Sequence, residues 1–167
     1  MMQPRIGICL KDGKRSLFSR FFAGLPGTDL YTNAISDVYQ DNFQEGIFTG
    51  KGIYDLAVFQ KVMDKRIPEN RILSHDLLEG CFARCALVTD ILWMDDYPNK
   101  FISSLKRKNR WIRGDWQIAS WCKQEVPNIN GKIVKNTLSE LSRYKIWDNL
   151  RRSTIEIGLF FSLLITL

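Results

Sequence analysis

The last stretch of the chain constrains its fold most. Residues 157–167 (Ile-Gly-Leu-Phe-Phe-Ser-Leu-Leu-Ile-Thr-Leu) carry no charge, and Arg151 and Arg152 stand shortly before them. As a helix, these 11 residues extend about 16 Å, against a hydrocarbon core of about 30 Å. An apolar helix of that length reads either as a core element or as the beginning of a membrane span with arginines at its cytoplasmic edge. The apolar pattern still runs at the final residue, so the expectation is a truncated transmembrane helix over 154–167. Composition narrows the remainder. The chain has 167 residues, 45% hydrophobic and 25% charged, which excludes disordered, collagen-like and low-complexity classes. That length supports one domain with a real core. The opening MMQPRIGICL has too short an apolar stretch for a signal peptide. Cysteines at 9, 81, 85 and 122 form no C-x-x-C, and a single histidine completes no zinc finger with them. A reduced, cytosol-facing environment is the default.

Residues 5–10 read as a strand, and Leu17, Phe18, Phe21 and Phe22 fall at helical spacing. Tyr31, Ile35 and Val38 suggest a further helical turn. Gly46 to Gly52 reads as a glycine-bearing strand-to-loop element. Asp55 can cap a helix carrying Leu56, Phe59, Val62 and Met63, which Pro68-Glu69-Asn70 breaks. A helix opens at Asp76, and Ala86 to Met94 is rich in β-branched residues, as a strand requires. Pro98 suits a helix start, followed by Phe101, Leu105 and Ile112. Residues 126–137 read as a connection, and 138–153 as an amphipathic helix suited to a membrane interface. Strands alternating with helices imply an α/β fold with a mostly parallel sheet.

Three constellations carry chemistry. Gly46-Ile-Phe-Thr-Gly50-Lys51-Gly52 has three residues, not four, before its Gly-Lys pair and lacks the following Ser or Thr, so it is not a Walker A loop. It remains either an ordinary turn or a loop letting backbone approach a ligand. Ser74-His75-Asp76 precedes a helix, where Asp76 is either a cap, with Glu79 three residues on, or a general base at a cleft. Lys106 to Arg113 holds five basic residues in eight, with Trp111, Trp116 and Trp121 nearby. That pattern fits a solvated helix face, a nucleic-acid surface, or a sugar-nucleotide site in which arginine meets diphosphate and tryptophan stacks on a sugar.

Five stretches, read together, resemble the glycosyltransferase region of cyclic β-1,2-glucan synthases, large multi-pass inner-membrane proteins. They are Ala34 to Asp41, FTGKGIYD from Phe48 to Asp55, PENRILSHDLLEG from Pro68 to Gly80, RWIRGDWQ from Arg110 to Gln117, and SRYKIWDNLRRS from Ser142 to Ser153. The resemblance implies the C-terminal half of a GT-A-type glycosyltransferase domain, followed by an interfacial helix and the start of a transmembrane helix. The boundaries it suggests are 1–125 for the partial catalytic domain, 126–137 for the connection, 138–153 for the interfacial helix and 154–167 for the span.

By that resemblance Asp76 is the catalytic base, taking a proton from an acceptor 2-hydroxyl as it attacks the anomeric carbon of UDP-glucose. Arg107-Lys108-Asn109-Arg110-Trp111 is similar to the family's Gln-x-x-Arg-Trp element, with Arg107 in place of Gln. Arg110 and Arg107 then bind the donor diphosphate, Trp111 the acceptor sugar, and Gly50 lies in the acceptor segment. A divalent cation (Mg or Mn) is expected for the complete enzyme. No two of the 18 acidic residues stand at i, i+2, so the Asp-x-Asp ligands are expected outside this chain. The expectation is therefore an inactive fragment of a membrane glucosyltransferase at the bacterial inner membrane, its catalytic region cytoplasmic. Its partners are UDP-glucose, a growing β-1,2-glucan, the membrane and the missing halves of the same enzyme, and not nucleic acid. The alternative is a basic module binding nucleic acid or an anionic membrane. Its net charge of +6 clusters at Lys106–Arg113 and Arg143–Arg152, which suits a diphosphate and a membrane surface.

Overall fold

A computed structural model describes residues 1–23, 38–72 and 76–166 as a mixed α/β chain. Its elements are β1 (Met2–Ile8), α1 (Leu10–Gly13), α2 (Leu17–Phe22), α3 (Val38–Phe43), α4 (Leu56–Met63), α5 (Asp76–Ala83) and β2 (Ala86–Asp95). They continue with α6 (Phe101–Gln117), a 3₁₀ turn (Ala119–Cys122), β3 (Glu125–Pro127), β4 (Ile133–Lys135) and α7 (Glu140–Thr166). Two compact units emerge among the described residues: those of 1–64 with 76–109, and those of 65–75 with 110–167.

The first unit is built on β1 and β2, which pair in parallel. Their register jumps between Pro4, opposite Val88, and Arg5, opposite Leu92, so residues 89–91 bulge out of the ladder. Proline supplies the cause: it has no N–H to continue the ladder, and pairing is interrupted at that point. Tyr39, Phe48, Leu78, Cys81, Cys85 and Leu87 form the buried apolar set of this unit. Asp55 caps α4 as expected, its Oδ1 accepting from the Val58 N–H at 2.9 Å. That helix already ends at Met63, before Pro68. Asp76 is the first residue of α5 rather than the residue before it. Ser74, His75, Tyr31 and Ile35, assigned roles above, lie outside the described residues.

In the second unit Ile118, Trp121, Val126, Leu138 and Ile146 are buried. The expected connection at 126–137 proves to contain structure: β3 and β4 form an antiparallel ribbon pairing Glu125–Lys135 and Pro127–Ile133. Asn128 to Gly131 supply its turn, closed by the Gly131 N–H donating to the Asn128 carbonyl at 2.8 Å, with Gly131 at φ 72°. Asn136 fixes the exit from this ribbon. Its amide donates to the carbonyls of Trp121 and Lys123, both at 2.8 Å, and its oxygen accepts from the Leu138 N–H.

The C-terminal expectation is corrected in form. Where two elements were expected, 138–153 and 154–167, one uninterrupted helix of 27 residues runs from Glu140 to Thr166. Its first half packs, burying Ser142, Lys145, Ile146 and Asp148. From Ile155 onward its large apolar side chains are exposed. Among the described residues no helix is long and apolar enough to cross a membrane, so the expected span is not among the observed elements. The charges at Arg151, Arg152 and Glu156 interrupt any longer apolar window, and the charge-free part from Ile157 extends only about 15 Å.

Candidate functional site

The segment from Phe48 to Ile53 lies along one face of α5. Asp76 and Gly80 stand four residues apart on that helix, and hence on the same side. At its start the segment buries Phe48 against Gly80, where an added Cβ would lie 2.7 Å from the Phe48 Cβ. Two residues later Gly50 meets the carboxyl group of Asp76. A Cβ on Gly50 would sit 2.7 Å from Asp76 Cγ and Oδ2 and 2.8 Å from Oδ1. Gly50 also has φ 83°, the left-handed region that side chains disfavour. Conformation thus favours glycine at this position, and the carboxylate facing it would have to turn aside for any side chain.

Backbone and side-chain bonds fasten the segment on either side of Gly50. The Thr49 N–H donates to Oε1 of Gln3 at 3.0 Å, and Gln3 is itself only 1% exposed. Ile53 and Met2 exchange hydrogen bonds of 2.8 and 3.0 Å as an isolated antiparallel bridge. Between these points the Lys51 ammonium donates to the carboxylate of Asp95, the last residue of β2. Burial acts to raise the Asp95 carboxyl. The hydrogen bond and charge of Lys51, the Asp96 backbone amide and the Arg107 charge outweigh it, and the carboxyl is held below its ordinary range.

Arg107 stands in the same unit, its guanidinium carbon 5.4 Å from the centre of the Tyr97 ring, a cation–π arrangement. Nearby acidic residues do not gather around a cation. Asp95 is bound to Lys51, and Asp12 pairs with Arg15 Nε at 2.9 Å. The hydrogen bond and charge of Asp12 push the Asp96 carboxyl upward, with Arg15 opposing. A divalent ion needs several oxygens directed at one point. This set does not fit one, and among the described residues no group of three or more His, Cys, Asp or Glu side chains could hold a metal.

Of the five residues singled out in the sequence, the structure brings Gly50 and Asp76 together and keeps Arg107 in their unit. Arg110 and Trp111 follow Arg107 in the sequence of α6 but belong to the second unit. Arg110 is exposed and Trp111 partly buried. Farther along, Asn149 donates to Asp115 Oδ1 at 2.6 Å and the Trp116 indole to Ser153 Oγ at 3.1 Å, joining α6 to α7. Burial pushes the Asp115 carboxyl up to about 6, against the Arg152 charge and the Asn149 bond. An open cleft of about 510 Å³ in this unit is lined by Pro68, Glu69, Arg71, Ile129, Asn130 and Gly131, none of them a candidate above. Lys51 and Asp95 were missed as partners. The available signal was a lysine set between two glycines in a loop otherwise without charge.

No protein-family profile matches the chain. Its relatedness to a curated protein is nevertheless clear, and it makes this α/β chain a glucan-synthase-related region. Over 159 residues, 95% of its length, it is 47% identical to the cyclic beta-(1,2)-glucan synthase NdvB of Rhizobium meliloti (strain 1021). The chain spans 5% of the length of that relative.

Proposed function

We propose that this chain is the acceptor-side portion of a membrane-bound, GT-A-type glucosyltransferase that extends a β-1,2-glucan from UDP-glucose. The observation that carries the reading is the carboxyl of Asp76 held against the backbone of Gly50. A base must stand beside the hydroxyl it deprotonates, and a glycine at that place lets the loop backbone come directly against the carboxyl. Asp76 accepts the proton of the acceptor 2-hydroxyl while that oxygen bonds to the anomeric carbon and UDP departs with the bonding pair. Arg110, with Arg107 behind it on α6, meets the charge on the leaving diphosphate, and Trp111 stacks on the acceptor ring. The divalent cation of the complete enzyme is assigned to residues outside this chain. On that account the isolated chain binds glucan and transfers nothing.

Membrane attachment is assigned to the distal half of α7. Its exposed apolar side chains support this, as do the hydroxyls of Ser162 and Thr166, which donate to helix carbonyls at 2.9 and 3.1 Å and so need no water.

Two assays on the purified chain test the proposal. Titration with a β-1,2-gluco-oligosaccharide should give saturable binding that Trp111→Ala weakens about tenfold, or about 1.4 kcal/mol. Radiolabelled UDP-glucose should yield no polymer. Robust incorporation would contradict the inactivity of the isolated chain. Absence of glucan binding together with steeply salt-dependent binding to RNA or DNA would favour the basic stretch of α6, where Lys106, Lys108, Arg110 and Arg113 are exposed.

A further inference from the structure

We propose that Lys51 and Asp95 form a clasp that holds the Gly50–Gly52 arch over Asp76, which makes Lys51 a positioning residue for the base. The arch is pinned at Thr49 through Gln3 and at Ile53 through Met2. Two of the three residues between those pins are glycines, the residue with most backbone freedom to lose on ordering. A loop of this kind is ordinarily stiffened by giving its glycines a side chain. Here that route is closed at both positions. A Cβ on Gly50 would meet the Asp76 carboxylate, and one on Gly52 would lie 2.2 Å from the Met2 carbonyl oxygen. Lys51 supplies the remaining side-chain tether of the arch, and its ammonium is bound to Asp95.

The pair suits this local role better than a global one. Both side chains are about two-fifths exposed (41% and 42%), and an ion pair so placed adds little to overall stability. Asp95 is kept ionised by Lys51 against the cost of burial, with help from the Asp96 amide and the Arg107 charge. A lysine bound in this way is committed to a carboxylate of its own chain, which agrees with the failure of the Gly-Lys sequence to meet phosphate-loop spacing. Releasing it frees three residues and leaves the flanking pins in place. The consequence for catalysis rests on the reading of Asp76 as the base; the clasp itself does not.

The test is backbone ¹⁵N relaxation on the full 167-residue chain, compared among wild type, Lys51→Met, Asp95→Asn and Lys51→Arg. In the wild type the amides of Gly50, Lys51 and Gly52 should have order parameters near 0.85; in Lys51→Met and Asp95→Asn they should fall below about 0.6. Lys51→Arg should retain order, and Thr49 and Ile53 should stay rigid throughout. Glucan affinity should fall about tenfold in the two loosened variants. Unchanged order parameters in Lys51→Met overturn the clasp, as does loosening that reaches Thr49 and Ile53 equally. Should Lys51→Met not fold, the exchanged pair Lys51→Asp with Asp95→Lys decides: restored order supports the clasp, and a mobile arch overturns it. If the wild type binds no glucan, the functional reading fails while the relaxation data still decide the clasp.

Discussion

The segment from Phe48 to Ile53 and the helix α7 solve opposite problems. The first has almost no regular structure, and its position is set by specific bonds: Gln3 to Thr49, Met2 to Ile53, Lys51 to Asp95. The second is a single 27-residue helix whose near half is fixed by burial and whose far half touches little. A loop can therefore be more tightly specified than a long helix, because specification comes from packed partners and not from regular hydrogen bonding alone. Substitutions along the loop should be costly in proportion to the atoms they displace. Those in the outer half of α7 should cost almost nothing in water.

The largest effect is expected at the largest buried side chain of the second unit. Trp121 is 2% exposed, and Trp121→Ala should lower unfolding free energy by about 3–5 kcal/mol in a denaturant titration. Gly50→Ala comes next, at about 2–4 kcal/mol, from strained backbone and from collision with the Asp76 carboxyl. Pairing it with Asp76→Ala should recover part of that loss. A double-mutant cycle showing strict additivity would mean the two residues are not in contact.

Asp115 gives the third effect, and it depends on pH. Its folded-state value of about 6 exceeds the ordinary 3.8, so the fold favours the protonated acid. The associated stability is complete below pH 3.8 and is lost as pH rises through about 6. Asp115→Asn should therefore be more stable than wild type at pH 7–8, by on the order of 1–2 kcal/mol after allowance for partial exposure. The difference should shrink on acidification, and a pH-independent difference would contradict the assignment. Asp55→Ala should cost about 1 kcal/mol through loss of the α4 cap. Phe160→Gln, on the exposed half of α7, should change stability by less than about 0.5 kcal/mol while weakening partition into lipid vesicles.

Local signals in the sequence translated well where a single element decided the outcome. Asp55 was legible as a cap because capping needs only an acceptor and an N–H three residues on. The strand at Ala86–Asp95 was legible from its β-branched residues. Pro127 concealed the β3–β4 ribbon, since a proline argues against a strand interior yet is tolerated at a strand end. A change of polarity along α7 suggests two elements, but helical backbone has no reason to break there: no Gly or Pro stands between Glu140 and Ile157. The site was half visible. Asp76 and Gly50 came from motif resemblance, whereas the Lys51–Asp95 pair joins residues 44 apart in sequence, and the lysine between two glycines marks only one of its ends.

The most direct measurement is a ¹⁵N chemical-shift titration of the chain with a β-1,2-gluco-oligosaccharide. The account predicts saturable shifts at Trp111 together with Thr49, Gly50 and Leu77, the amides near Asp76, and loss of the latter group in Gly50→Ala. Shifts confined to the basic stretch from Lys106 to Arg113, or no shifts at all, would contradict it.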